Sequence, residues 1–406
     1  PSLIPYNLRK GFGLPTVEQH EAMYAYYFYR LLQRAKRVRL VYNSQATDSS
    51  TGEMSRYLRQ LMMESPHSVP VRSVTYSVTY TKPKPIAVEK SGEVLAILNE
   101  YLDGGNRALS ASSLNKYLEC PLKFYFEKIA QLHEPDEVTE EVDGRMLGNI
   151  FHRTMQEIYT PLLNKNTTEE DLKILLRDKE KIAVLVEKFT AKEFFGNENE
   201  VDEVRRNGKL LMVKEAVQKY VAGTLKYDAQ RAPFTIAGLE EKIEGNILAN
   251  IGGSERSIKF VGSIDRMDIC TKSTCIIDYK TGSADERKTR FLSVDSLFSE
   301  SANQRRPEVF QTLLYSLLVQ KKHSTAAVQP ALYFVRSIYK NDFDSQIKIK
   351  SEKNYEEVDD ATPHLPRFEE LLQAKLGELF DTSRPFVQTD EADTCEYCPF
   401  SEICHK

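Results

Sequence analysis

The chain lacks any apolar run near the roughly 20 residues of a membrane span, so no spanning helix is expected. It also lacks a G-x-x-x-x-G-K-[ST] motif, which leaves ATP hydrolysis by a P-loop without support. No signal-peptide pattern opens the residues given. Nor is there an excess of positive charge. The 55 Lys and Arg against 59 Asp and Glu leave a formal net charge of −4, so any nucleic-acid contact must come from local patches rather than a global field. Cysteine is scarce, six in 406 residues, and tryptophan is absent. What remains, 41% hydrophobic and 28% charged residues, suits an ordinary globular chain long enough for two or three domains. The first residue is Pro1 and the chain opens mid-motif, so an upstream domain missing from this sequence is expected.

The most informative stretch runs from Gly262 to Lys280, G-S-I-D-R-M-D-I-C-T-K-S-T-C-I-I-D-Y-K. It predicts two strands, 260–270 and 275–280, joined by a polar turn. If Cys270 sits opposite Cys275, Asp265 faces Lys280, and Asp278 shares their side of the hairpin. The second strand is apolar on both faces, as buried strands are, and buried carboxylates need a partner or a metal. The residues alone leave two readings open: a solvated ion pair, or a site for Mg²⁺ or Mn²⁺ with a lysine beside it.

Upstream, residues 1–80 predict an α/β piece: a helix over 17–35, a short buried strand at 38–43, a helix ending near Met63 and an edge strand over 71–81. Arg56 and Arg59 read as solvated helix charges or, less simply, as nucleotide sensors. A linker is expected over 83–107. A Ser-capped helix over 113–119 ends at Cys120-Pro121. Over 144–159 the apolar residues fall at helical spacing, with His152 at the edge of the buried stripe beside Phe151. Charged helices fill 165–230. A strand follows over 233–247, where Glu240 or Glu241 offers a further acid. The helix over 308–320 presents Gln311 and Tyr315 on one side, and a buried strand is expected at 330–337, then a last helix over 366–380.

Three cysteines close together in the tail, Cys395-x-x-Cys398-x₅-Cys404, suggest a metal site rather than disulfides. Cys120 or His405 would supply the fourth ligand, His405 favouring zinc. Cys270 and Cys275 are expected as reduced, packed thiols facing away from Asp265.

Together these motifs resemble the RecB-like nucleases of the PD-(D/E)xK superfamily, and among them the iron–sulfur-bearing subunits of AddAB-type helicase–nucleases. The resemblance covers about 108–406, with a weaker extension to a helicase-like remnant over 1–82. It implies an α/β core, a mixed β-sheet flanked by helices, that hydrolyses DNA phosphodiester bonds with Mg²⁺ or Mn²⁺. His152, from G-x-x-x-H with Gly148, would bind the ion with Asp265, Asp278 and the backbone carbonyl of Tyr279. Lys280 would position or activate the attacking water, and Gln311 and Tyr315 would hold a single DNA strand. Cys120, Cys395, Cys398 and Cys404 would hold a 4Fe–4S cluster, with Zn²⁺ as the alternative. The resemblance also implies an exonuclease role in DNA repair and recombination, a helicase partner subunit and a cytoplasmic location, without a membrane. Two other classes stay open: a CRISPR-associated nuclease of the same fold, and a non-catalytic DNA-binding scaffold with a zinc module.

Overall fold

The computed structural model describes residues 4–45, 52–66, 68–74, 84–133, 143–271, 273–283, 286–323, 327–340 and 343–406. The chain divides into two units, Pro1–Lys82 and Pro83–Lys406.

In the first unit the described residues form helices, Tyr6–Gly11, Val17–Gln33 and Arg56–Glu64, and no strand. The strand expected at 38–43 is exposed chain without regular structure, and 71–74 carries no strand either, while 75–81 lies outside the described residues. Among the described residues 38–43 has no ladder partner, and β-branched residues favour a strand only where a neighbour satisfies the backbone. Arg56 pairs with Glu21 at 3.1 Å, and Phe28 stacks on Tyr57.

The second unit is built on one sheet. Its strands are β1 (Phe234–Ile251), β2 (Ser254–Ile269), β3 (Thr274–Lys280) and β4 (Val328–Phe334), in that order, with the two-residue strand Asn166–Thr167 at the edge of β1. β1 and β2 form one long hairpin, and its turn needs Gly252 and Gly253, both at positive φ. β3 and β4 run parallel, so the chain must cross over between them, and a helix makes that crossing.

Helices cover both faces. The principal ones are α1 (Ala111–Glu119), α2 (Gly144–Tyr159), α3 (Lys179–Phe195), α4 (Gly208–Arg231), α5 (Pro307–His323, the crossover) and α6 (Leu365–Phe380). One core joins α1, α5 and α6 to Ile243, Phe260, Ile276 and Leu332 of the sheet. The other joins α2, α3 and α4 to Ile236, Ile277, Tyr279 and Tyr333. Alternation along β3 decides this: Ile276 faces one layer while Ile277 and Tyr279 face the other, which is why the strand is apolar on both sides.

Two expectations need adjusting here. The segment expected as a linker, 83–107, buries Leu98, Tyr101 and Leu102 in the first of these cores, and Ala87–Val88 pairs with Phe386–Val387. Its apolar residues find a groove to fill, which a free linker would leave in water. Among the charged helices expected over 165–230, Val201–Arg206 and α4 are separate, because Asn207 caps a new start at Gly208.

Candidate active site

The hairpin register differs from the sequence-based expectation by two residues. Asp268, not Cys270, pairs with Cys275, and the Cys270 N–H donates to Ser273 O in a tighter turn. Asp265 therefore continues the register toward Asp278, not Lys280. A shift of two keeps every side chain on its own face, so the acids and Lys280 still share one side.

The β2–β3 ladder ends at the Arg266–Ile277 pair. Beyond it the Asp265 carboxylate takes over the lost backbone partner: Tyr279 N–H donates to Asp265 Oδ2 at 2.7 Å. This fixes the carboxylate at the mouth of the sheet. Two residues on, Lys280 Nζ lies 2.7 Å from Asp278 Oδ2 and donates to Gln311 Oε1 at 3.1 Å. Gln311 Nε2 in turn donates to the Tyr315 hydroxyl at 3.2 Å. Tyr315 is buried, and its ring lies over Gly262, where an added Cβ would come within 2.4 Å of Tyr315 Cε1. Gln311 and Tyr315 are thus no loose surface pair; they brace Lys280.

His152 arrives from the opposite layer on α2. Gly148, one turn earlier, lets that helix approach Thr281, since a Cβ there would meet Thr281 Oγ1 at 3.2 Å. His152 Nδ1 lies 3.5 Å from Asp265 Oδ1 and 3.1 Å from Glu240 Oε1. Its ring also meets Tyr279 edge-on. The structure thus brings His152, Asp265, Tyr279 and Lys280 together with Asp278, Gln311 and Tyr315, and adds Glu240.

The electrostatics are those of crowded acids. Burial, and next the charge of Asp278, pushes Asp265 up to about 7 against the pull of His152. Burial alone would lower the His152 imidazole. The hydrogen bond to Glu240 and the nearby carboxylate charges outweigh it and hold its pKa at about 9. Lys280 behaves similarly: burial opposes its charge, but Asp278 wins and keeps it an ammonium. The Asp278 side chain is only 5% exposed, and its Oδ2 is compensated by the Lys280 ammonium at 2.7 Å, as a buried carboxylate requires.

The superfamily then follows from comparison. A family model described as the PD-(D/E)XK nuclease superfamily matches residues 108–405. The chain belongs to this superfamily. The mixed α/β sheet flanked by helices agrees with the fold that membership implies, and the superfamily as a whole points to a nuclease that uses divalent metal.

Relatives add no activity. An uncharacterized protein of Rickettsia conorii is 23% identical over 301 residues, covering 70% of this chain and 31% of the relative. Uncharacterized proteins of Rickettsia bellii and Rickettsia felis are 26% and 23% identical, each over 44% of this chain and 19% of their own length. The chain thus matches a third or less of the length of these curated relatives.

Two further features of the nuclease domain lie outside the acid cluster. The hairpin's other face, expected to be simple packing around Cys270 and Cys275, carries a buried ionic network. Arg266, with no exposed surface, donates to both carboxylate oxygens of Asp228 and of Asp268, and to the Tyr279 hydroxyl at 3.0 Å. Arg231 lies 3.1 Å from Asp228 and donates to Cys275 Sγ. No spacing signal in the sequence links Asp228 on α4 to Arg266 on β2. At the far end of the domain, Cys120, Cys395, Cys398 and Cys404 line one small cavity with Phe126 and Phe400. Cys120 caps the end of α1, and Pro121 then starts the next helix. Among the described residues, no helix is long and apolar enough to cross a membrane.

Proposed function

We propose that this is an active DNA nuclease in which His152, Asp265 and Asp278, with the Tyr279 carbonyl, bind Mg²⁺ or Mn²⁺. The observation that carries this is Lys280. Its ammonium is held between Asp278 and Gln311 beside the His152–Asp265 pair, as phosphodiester hydrolysis requires. A divalent cation at such a site lowers the pKa of water and offsets charge on the scissile phosphate. Lys280 orients the attacking water as a charged donor, because Asp278 keeps it protonated. Gln311, braced by Tyr315, sets the position of that ammonium and faces a cleft lined by Ser112, Asn115, Lys116 and Asp393. This cleft is the bed for a single strand.

Four cysteines lining one cavity suit a 4Fe–4S cluster, the ligand set the resemblance implies, with zinc as the alternative. The fourth ligand is Cys120 rather than His405, which lies outside the cavity. Such a cluster would tie α1 to the tail and close a very long loop, a structural role. By the same resemblance, the chain would be the exonuclease part of a cytoplasmic helicase–nuclease of DNA repair and recombination, working with a helicase partner and an upstream domain. The first 82 residues would be the end of its helicase-like motor.

The test is cleavage of single-stranded and duplex DNA with Mg²⁺ or Mn²⁺ and with chelator. Asp278→Ala and Lys280→Ala should each abolish metal-dependent cleavage while leaving the melting temperature and the cluster's visible absorbance intact. Cleavage retained in both variants refutes the assignment.

A further inference from the structure

The strand β1 carries a kink that the metal set above does not use. Glu240 sits at φ +48°, a left-handed conformation unusual for a residue with a side chain. The β1–β2 register shifts between Ile236 and Gly238, and pairing lapses between Leu239–Arg266 and Glu241–Ile264. The ladder register places Glu240 across from Asp265, on the same face, and Oε1 lies 3.1 Å from His152 Nδ1. Glu241, the neighbouring acid, turns outward and reaches Lys322 at 3.5 Å.

Distances decide what the Glu240 carboxylate can do. His152, Glu240 and Asp265 each offer a ligand atom, and these three atoms all lie within 4.8 Å of one another. Ligands at about 2.1 Å around an octahedral Mg²⁺ or Mn²⁺ sit about 3 Å apart when adjacent and about 4.2 Å apart when opposite. The three atoms therefore fit one coordination sphere after small movements. Asp278 Oδ2, paired with Lys280 at 2.7 Å, lies at the same mouth of the sheet. Among the described residues the salt-bridge partner of Glu240 is His152, itself one of the three grouped ligand atoms.

We infer that Glu240 is itself a ligand of the divalent cation, joining His152 and Asp265. This rests on the nuclease reading above, and it extends the ligand set to three carboxylates and one imidazole.

The test needs no turnover. Metal-stripped full chain is titrated with Mn²⁺ and the free ion is followed by electron paramagnetic resonance, for wild type, Glu240→Gln and Asp265→Asn. Both variants should weaken Mn²⁺ binding at least ten-fold. Binding by Glu240→Gln within two-fold of wild type, with Asp265→Asn impaired, overturns the role of Glu240 and leaves the nuclease reading standing. If wild type binds no Mn²⁺, the nuclease reading itself falls and takes this inference with it. A second measurement covers any loss of fold stability: the rise in melting temperature on adding Mn²⁺, each variant against its own metal-free form. Wild type should show this rise and Glu240→Gln should not. An equal rise in both overturns the inference.

Discussion

Replacing Arg266 by Met tests whether the buried network under the hairpin holds the domain together. Met approximates the length of the side chain but carries no charge. The change removes five hydrogen bonds of 2.6–3.0 Å, to Asp228, Asp268 and Tyr279. It also removes a guanidinium stacked 4.7 Å from the Tyr159 ring. Among the described residues Arg231 is then the one cation left to the two buried carboxylates, at 3.1 Å and 3.5 Å, while the Tyr159 and Tyr333 hydroxyls still donate to Asp228. Breaking a buried pair in this way costs about 3–5 kcal/mol, chiefly because a buried charge loses its partner. Taking about 4 kcal/mol over a unit as large as Pro83–Lys406, the melting temperature falls by roughly 6 °C. The pH dependence gives the reasoning a sharper edge. In the wild type burial would raise the Asp228 pKa, but Arg266 outweighs it and holds the group below the usual carboxylate value. Such a depressed group adds stability above its unfolded pKa, near 3.9, and loses it as pH falls through the lower folded value. Without Arg266 burial dominates, the folded pKa rises, and the variant loses stability as pH climbs from about 4 toward neutrality. Chemical denaturation at pH 5, 6.5 and 8 should therefore show a gap that widens with pH. Adding Asp268→Asn should recover part of it. A loss below about 1 kcal/mol, or a gap independent of pH, would refute this account of the network.

Two further outcomes concern the motifs themselves. Gly262→Ala places a Cβ 2.4 Å from the Tyr315 ring. The expected loss is about 1–3 kcal/mol of stability, with weaker single-strand binding in chelator; Tyr315→Ala in the same background should relieve the stability loss. Cys120→Ser should bleach the visible absorbance of anaerobically purified protein and raise proteolysis at the tail, while Cys270→Ser, outside the cavity, should do neither.

Much of the domain was legible because its signals are local. The stripe over 144–159 matches α2, since period alone reports which side of a helix is buried. Alternation reports strands in the same way, so β3 and its burial on both faces could be read directly. The acid face of the hairpin could be assigned even from a wrong register, because an error of two residues preserves parity. The first 82 residues were harder: short β-branched runs such as 38–43 mark a strand only when a partner exists.

By itself, then, the sequence singled out the candidates: the Gly262–Lys280 hairpin, His152 on its stripe, the Gln311–Tyr315 pair and Cys120 with the tail cysteines. Only the tertiary structure decided how they combine. It set Asp265 toward Asp278 by a tighter turn. It set Glu240 rather than Glu241 in the site, across from Asp265. It placed Asp228 and Arg231 from α4 beneath the hairpin, where spacing along β2 and β3 predicted only packing. Periodicity encodes which way a side chain faces. Register, kinks and long-range ion pairs depend on what lies opposite, and that exists only once the chain has folded.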